Sequence, residues 1–143
     1  MTTPHTTGVR VLVVEDQPAA RVAMAELLMA EGFDVAVAND GGEALDVAKA
    51  FDAHLVLMDF GLPSVNGWEA TLRLRRDPAT AAIPVLAVTG QGNPEALRLA
   101  AEVGCVDVIL KPVDVRHLAE RLRQLVDSPP APDALPGLPS DGC

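Results

Sequence analysis

Five polar residues carry most of the chemistry this chain offers: Glu15, Asp16, Asp59, Thr89 and Lys111. Each stands at the end of an apolar run. Val9-Arg10-Val11-Leu12-Val13-Val14 runs into Glu15-Asp16, and Leu55-Val56-Leu57-Met58 into Asp59 and a Gly/Pro loop. Val85-Leu86-Ala87-Val88 ends in Thr89, and Val106 to Leu110 ends in Lys111-Pro112. Three carboxylates, one hydroxyl and one ammonium do chemistry only if the fold gathers them. Carboxylates held together repel by about 4 kcal/mol per pair at ~4 Å and an effective dielectric of about 20. A hard divalent cation relieves that repulsion, and an all-oxygen, open site suits Mg2+ better than zinc. A carboxylate facing a metal and a lysine is equipped for phosphoryl transfer, with Asp59 as nucleophile and Thr89 and Lys111 contacting the transferred group.

The elements between these residues predict how they meet. The runs are continuous and apolar, as expected of strands buried on both faces of a parallel sheet. Helical segments alternate with them. Gln17-Pro18 opens the first, with a stripe of Ala20, Ala23, Leu27 and Ala30 and a stop at Gly32. Asp34 to Ala38 reads as the second strand. Asp40 with Glu43 starts the second helix, with Ala44, Val47, Ala48 and Phe51 buried. Asn66 with Glu69 repeats that spacing for the third, with Trp68 and Leu72 inward and Asp77-Pro78 as its break. Asn93-Pro94-Glu95 opens the fourth, with Leu97, Ala100 and Ala101 as its stripe. Asp114 caps the fifth, which has the cleanest stripe: Val115, Leu118, Ala119, Leu122, Leu125 and Val126. Five strands alternating with five helices predict an α/β doubly wound sheet with right-handed crossovers, and ligands bind such sheets beyond the strands' carboxyl ends.

Bulk composition narrows the function classes. The 143 residues suit one domain, 49% hydrophobic residues supply a core, and a net charge of −9 opposes direct nucleic-acid binding. Nothing approaches the roughly 18 apolar residues needed to insert in a membrane, so a cytoplasmic location is expected. The expected organisation is a disordered N-terminus over 1–8, a folded domain over 9–127 and a disordered Pro-rich tail over 128–143. Cys105 reads as core packing, and Cys143 ends the tail.

This ordered set resembles the receiver domains of two-component response regulators over about residues 9 to 126. The match rests on Glu15-Asp16, Met58-Asp59, Leu62-Pro63 and Gly67, Thr89, and Lys111-Pro112. The resemblance implies a flavodoxin-like fold with strand order 2-1-3-4-5. It implies that Asp59 accepts a phosphoryl group from a sensor histidine kinase or histidine phosphotransfer protein. It also implies Mg2+ held by Asp16 and Asp59, with the Gly61 backbone carbonyl as a further ligand and Glu15 acting through water. Lys111-Pro112 is expected to be cis. The chain is expected to be a stand-alone phosphoacceptor that assists its own phosphorylation and dephosphorylation, not an enzyme, and to signal to a downstream protein through contacts. Val108 occupies the position of the family's aromatic switch, a departure that leaves open an interaction module not controlled by phosphorylation. An FMN-binding reading fails on Glu15-Asp16, which repel phosphate. An aspartate-nucleophile phosphatase needs a second Asp where Gly61 stands.

Overall fold

The computed structural model describes residues 8–60, 66–90, 92 and 94–127. The elements are β1 (Arg10–Val14), α1 (Pro18–Ala30), β2 (Asp34–Ala38), α2 (Gly41–Phe51), β3 (Leu55–Asp59), α3 (Asn66–Arg76), β4 (Val85–Thr89), α4 (Pro94–Glu102), β5 (Asp107–Leu110) and α5 (Val115–Asp127). The strands form one sheet in the order β2-β1-β3-β4-β5, and every neighbouring pair is parallel. The expectations for 1–7 and 128–143, and that for the Gly61 carbonyl, lie outside the described residues.

Strand periodicity divides the core into two layers. Val11, Val13, Leu55, Leu57, Leu86 and Val88 pack on one face with Leu28 of α1 and Leu118, Leu122 and Leu125 of α5. Leu12, Val14, Val56, Met58, Val85 and Ala87 pack on the other with Ala44 and Ala48 of α2, Ala70 and Leu74 of α3, and Ala100 of α4. Alternate side chains of one strand point to opposite faces, so each apolar run serves both layers at once.

Local chemistry sets the helix boundaries. Asp40 Oδ1 accepts from the backbone N–H of Glu43 at 3.1 Å, while Glu43 Oε1 accepts from the N–H of Asn39 at 2.9 Å. Asp114 Oδ1 accepts from the N–H groups of Arg116 and His117. Gly32 and Gly104 both have φ of +99°, a conformation glycine adopts without a Cβ clash. They turn the chain from α1 into β2 and from α4 into β5.

The helix faces differ in part from the expectation, and in α2 Val47 and Phe51 are only half-buried. In α1, Ala20, Ala23, Leu27 and Ala30 are exposed; Ala25 and Leu28 are buried, with Met24 half-buried. Almost every residue of PAARVAMAELLMA is apolar, so its spacing supports several stripes, and packing against the sheet selects among them. In α3 the buried residues are Gly67, Ala70, Thr71 and Leu74, leaving Trp68 and Leu72 half-buried. In α4, Ala100 is buried but Leu97 is 41% exposed. In α5, Leu118, Ala119, Leu122 and Leu125 are buried as expected, and Val126 at the end is exposed.

Candidate functional site

Register builds the site. Val14 of β1 is the partner of Met58 in β3, so the next residues, Glu15 and Asp59, leave the sheet side by side. Asp59 pairs with Val88, which places Thr89 one residue further along the neighbouring strand. Thr89 in turn pairs with Leu110, and its carbonyl accepts from the N–H of Lys111 at 2.9 Å. Four strand ends thus converge on one edge, although their residues are far apart in the chain.

The side chains meet there. Glu15, Asp16 and Asp59 each offer a carboxylate oxygen, and the three oxygens lie within 4.8 Å of one another. Lys111 Nζ is 3.1 Å from Asp59 Oδ1 and 3.9 Å from Glu15 Oε1. The Lys111-Pro112 bond is cis. Glu15 is buried, Asp59 half-buried, Asp16 exposed and Thr89 buried. Burial, reinforced by a hydrogen bond and repulsion from Asp59, raises the Glu15 carboxyl from 4.5 to about 7 against the lowering effects of the Gln17 N–H and Lys111. The Gln17 N–H donates to Glu15 Oε2 at 3.2 Å.

The donor set fits a hard divalent cation. It is all oxygen, carries three carboxylates, and borders a cavity of about 50 Å3 that Asp40 and Gly41 also line. That volume has room for an ion together with a few waters, since about 10–15 Å3 of such space is enough for one water. Once all three carboxyls are ionised, each pair at the 4.8 Å limit costs roughly 3 kcal/mol at an effective dielectric of about 20, and a single half-exposed lysine offsets only part of this. The site's own electrostatics therefore favour a second cation.

Two contacts join the site to the neighbouring helices α1 and α3. Arg21 Nη1 of α1 donates to the backbone carbonyl of Glu15 at 3.1 Å, which ties the acidic turn to the helix. Its only sequence trace is a lone cation in a largely apolar segment. Gly67, in the first turn of α3, lies so close to Asp59 that a Cβ there would sit 2.7 Å from the Asp59 carbonyl oxygen. Trp68, the next residue, sets its ring 6.1 Å from that of Phe60, which follows Asp59 directly. Cys105 is fully packed, and burial pushes its thiol up to about 12, so it is chemically inert at neutral pH.

Val108 is half-buried against the α2/α3/α4 layer, and its partner across the sheet is Ala87. Beside it on the open edge strand, Leu110 is 51% exposed and faces Gly92, where an added Cβ would come 3.2 Å from Leu110 Cδ1.

Residues 11–123 match the response regulator receiver domain family. The chain is 36% identical over 126 residues to the aerobic respiration control protein ArcA of Escherichia coli K12, covering 88% of this chain and 50% of ArcA. It is 31% identical to a probable cyclic di-GMP phosphodiesterase of Vibrio cholerae, covering 87% of this chain and 28% of that protein. The chain thus spans half or less of the length of these relatives. Among solved structures, chemotaxis protein CheY4 of Vibrio cholerae superposes with a TM-score of 0.76 at 26% identity, covering 82% of this chain and 98% of CheY4. The receiver domain of Ssk1 from Saccharomyces cerevisiae, solved with the histidine phosphotransfer protein Ypd1, gives a TM-score of 0.71 at 26% identity, covering 82% and 88%. No helix among the described residues is long and apolar enough to cross a membrane.

Proposed function

Because the chain belongs to the response-regulator receiver family, we propose that Asp59 is its phosphoacceptor and that a histidine kinase or histidine phosphotransfer protein is the donor. Receivers are signalling proteins that interact with such donors, and they generally bind Mg2+ at an acidic pocket. The observation that carries the reading is the meeting of Asp59 with Lys111 at 3.1 Å inside a cluster of three carboxylates.

An Asp59 carboxylate oxygen attacks phosphorus, the phosphorus–nitrogen bond of the phosphohistidine breaks, and the imidazole nitrogen keeps the electron pair. Lys111 gives up its contact with Asp59 Oδ1 and stabilises a phosphoryl oxygen instead. Thr89, from the adjacent strand, donates its hydroxyl to another oxygen. Asp16 and Asp59 would hold Mg2+, with Glu15 acting through water and the Gly61 carbonyl as a further ligand. When bound, Mg2+ neutralises the carboxylates and the charge on the transferring group. In hydrolysis a water oxygen attacks the same phosphorus, the bond from phosphorus to the Asp59 oxygen breaks, and the Asp59 carboxylate leaves with the electron pair while the released phosphate carries the water's proton; Lys111 and Thr89 again contact the phosphoryl oxygens.

Readout runs through protein contacts on the α4–β5–α5 side. The exposed Leu97 and Leu110 lie there on or beside an edge strand. Arg121 is paired with Asp107 at 2.6 Å and Arg98 more loosely with Glu102 at 3.8 Å; Arg98 and Arg116 are the more exposed cations there. The downstream partner is a protein and the compartment the cytoplasm, where phosphodonor kinases expose their catalytic domains. Incubation with Mg2+ and phosphoramidate, followed by intact mass measurement, tests the reading. One base-labile phosphoryl adduct is expected on the native chain and none on Asp59→Ala. An unmodified native chain, or an adduct that persists in Asp59→Ala, refutes it and leaves an interaction module independent of phosphorylation.

A further inference from the structure

Among the described residues β2 is an open edge: all five of its residues pair with β1, and no strand lies on its other side. The Asp34 N–H donates to the Val9 carbonyl, and the Ala38 carbonyl accepts from the Glu15 N–H, so the even-numbered residues of β2 turn their backbone groups toward β1. In an extended strand the alternate residues turn theirs the other way. The N–H and C=O groups of Val35 and Val37 therefore point out of the sheet. Edge strands are usually blunted by proline, lysine or a bulge. Asp34-Val35-Ala36-Val37-Ala38 contains neither residue, and its register is unbroken. The surface around it is apolar on one face and acidic on the other. Val35 packs into the layer of α1, so Val37 shares that face, where it is 42% exposed. On the flank of α1 turned away from Met24 and Leu27, Val22 and Met29 are exposed by 52% and 45%, on one stripe two turns apart. Ala36 and Ala38 pack into the layer of α2, which puts Asp34 on that face. There Lys49 turns to α3 and meets Asp77 at 2.6 Å, while Glu43 lies on another flank and holds the N–H of Asn39, just past β2. Residues 22–48 contain six carboxylates and no Lys, Arg or His. A second copy would bring the same carboxylates, so like charges oppose pairing β2 with β2.

We propose that the β2 edge docks an extended segment of another protein, a strand in which apolar residues alternate with Lys or Arg. Its backbone pairs with the outward N–H and C=O groups of Val35 and Val37, which supplies main-chain hydrogen bonds to any sequence. Its side chains supply the selectivity, because alternate residues of the incoming strand go to opposite faces. The apolar ones lie against Val22, Met29 and Val37 on the α1 face. The cations lie on the α2 face, between Asp34 at one end of β2 and Glu43 at the other. The order β2-β1-β3 puts this edge on the far side of β1 from Asp59, and docking requires no phosphoryl group.

The test titrates the full chain with a capped peptide that alternates valine and lysine over about ten residues, and with its valine–glutamate counterpart. Affinity is read by the anisotropy of a dye on the peptide, and position by hydrogen exchange of the chain's amides. At low salt the valine–lysine peptide is expected to bind at least tenfold more tightly than its counterpart, to weaken as salt is added, and to protect the amides of Val35 and Val37. Val37→Pro removes one outward N–H and no bond to β1, so binding should fall at least tenfold with the melting curve little changed. Asp34→Lys keeps every backbone group and should shift the preference toward the valine–glutamate peptide; this variant decides if Val37→Pro melts early. No binding of either peptide, equal affinity for both, protection elsewhere than at β2, or an unchanged preference in Asp34→Lys overturns the proposal. A concentration-dependent dimer in sedimentation that Val37→Pro abolishes places a second copy on the edge and overturns it as well.

Discussion

Replacing Glu15 by Gln should remove a pH dependence that works against the metal-free protein near neutrality. The Glu15 carboxyl is raised from 4.5 to about 7, first by burial and then by Asp59. The native state therefore binds this proton more tightly than the unfolded chain. Its contribution to stability is complete below about 4.5, declines as pH rises, and is gone above about 7. Across the interval from about pH 5 to about pH 8, the loss amounts to roughly 2–3 kcal/mol for this one group. For a domain of this size that corresponds to roughly 10 °C in Tm. Gln keeps a neutral, hydrogen-bonding side chain of the same shape, so the variant resembles the protonated protein at every pH. Urea unfolding with a chelator present, at both ends of that interval, measures the effect as the difference between wild type and Glu15→Gln, in which groups common to both cancel. Asp77, lowered chiefly by its hydrogen bond with Lys49, acts at lower pH: its contribution is present above its ordinary 3.8 and is lost below it. Mg2+ should stabilise the wild type more at the alkaline end, where Glu15 is ionised. Parallel pH dependences in the two proteins, or a wild type that gains stability with rising pH relative to the variant, would refute the reasoning.

Two further outcomes follow from the same geometry. Asp16→Ala should weaken Mg2+ binding at least tenfold, a loss of about 1.4 kcal/mol, measured by the emission of Trp68. That residue is the chain's one tryptophan, there is no tyrosine, and its ring lies 6.1 Å from that of Phe60 next to Asp59; an unchanged titration removes Asp16 from the metal shell. Gly67→Ala should destabilise the fold by ~1–3 kcal/mol and also slow phosphorylation. Its Cβ meets backbone at 2.7 Å, so the strand that carries Asp59 must itself shift; a normal melting curve with a normal phosphorylation rate contradicts that close approach.

The polar positions that cluster at the sheet edge were readable because parallel βα alternation has a fixed consequence. Each strand's carboxyl end reaches the same edge, so a polar residue after an apolar run marks that edge wherever it falls in the chain. Glu15, Asp16, Asp59 and Lys111 follow this rule, and the structure brings their charged groups within a few ångströms. The cap residues Asp40 and Asp114 were readable for a different reason: capping is local, between groups three residues apart or fewer. The receiver resemblance supplied the strand order, which alternation alone does not choose.

Packing decided the rest. Helix α1 is apolar on nearly every side, so its sequence does not say which stripe meets the sheet. The sheet chose Ala25 and Leu28, and it left Ala20, Ala23 and Leu27 to wall a groove beside the site. The closeness of Gly67 to the Asp59 carbonyl, and the hold of Arg21 on the Glu15 carbonyl, join residues on different elements. The proton affinity of Glu15 depends on how much water the surrounding elements exclude. The sequence by itself determined which groups reach the edge, because strand period and chain direction are local properties. Only the tertiary structure decided their distances, their protonation and the surface beside them, because those depend on how separate elements pack together.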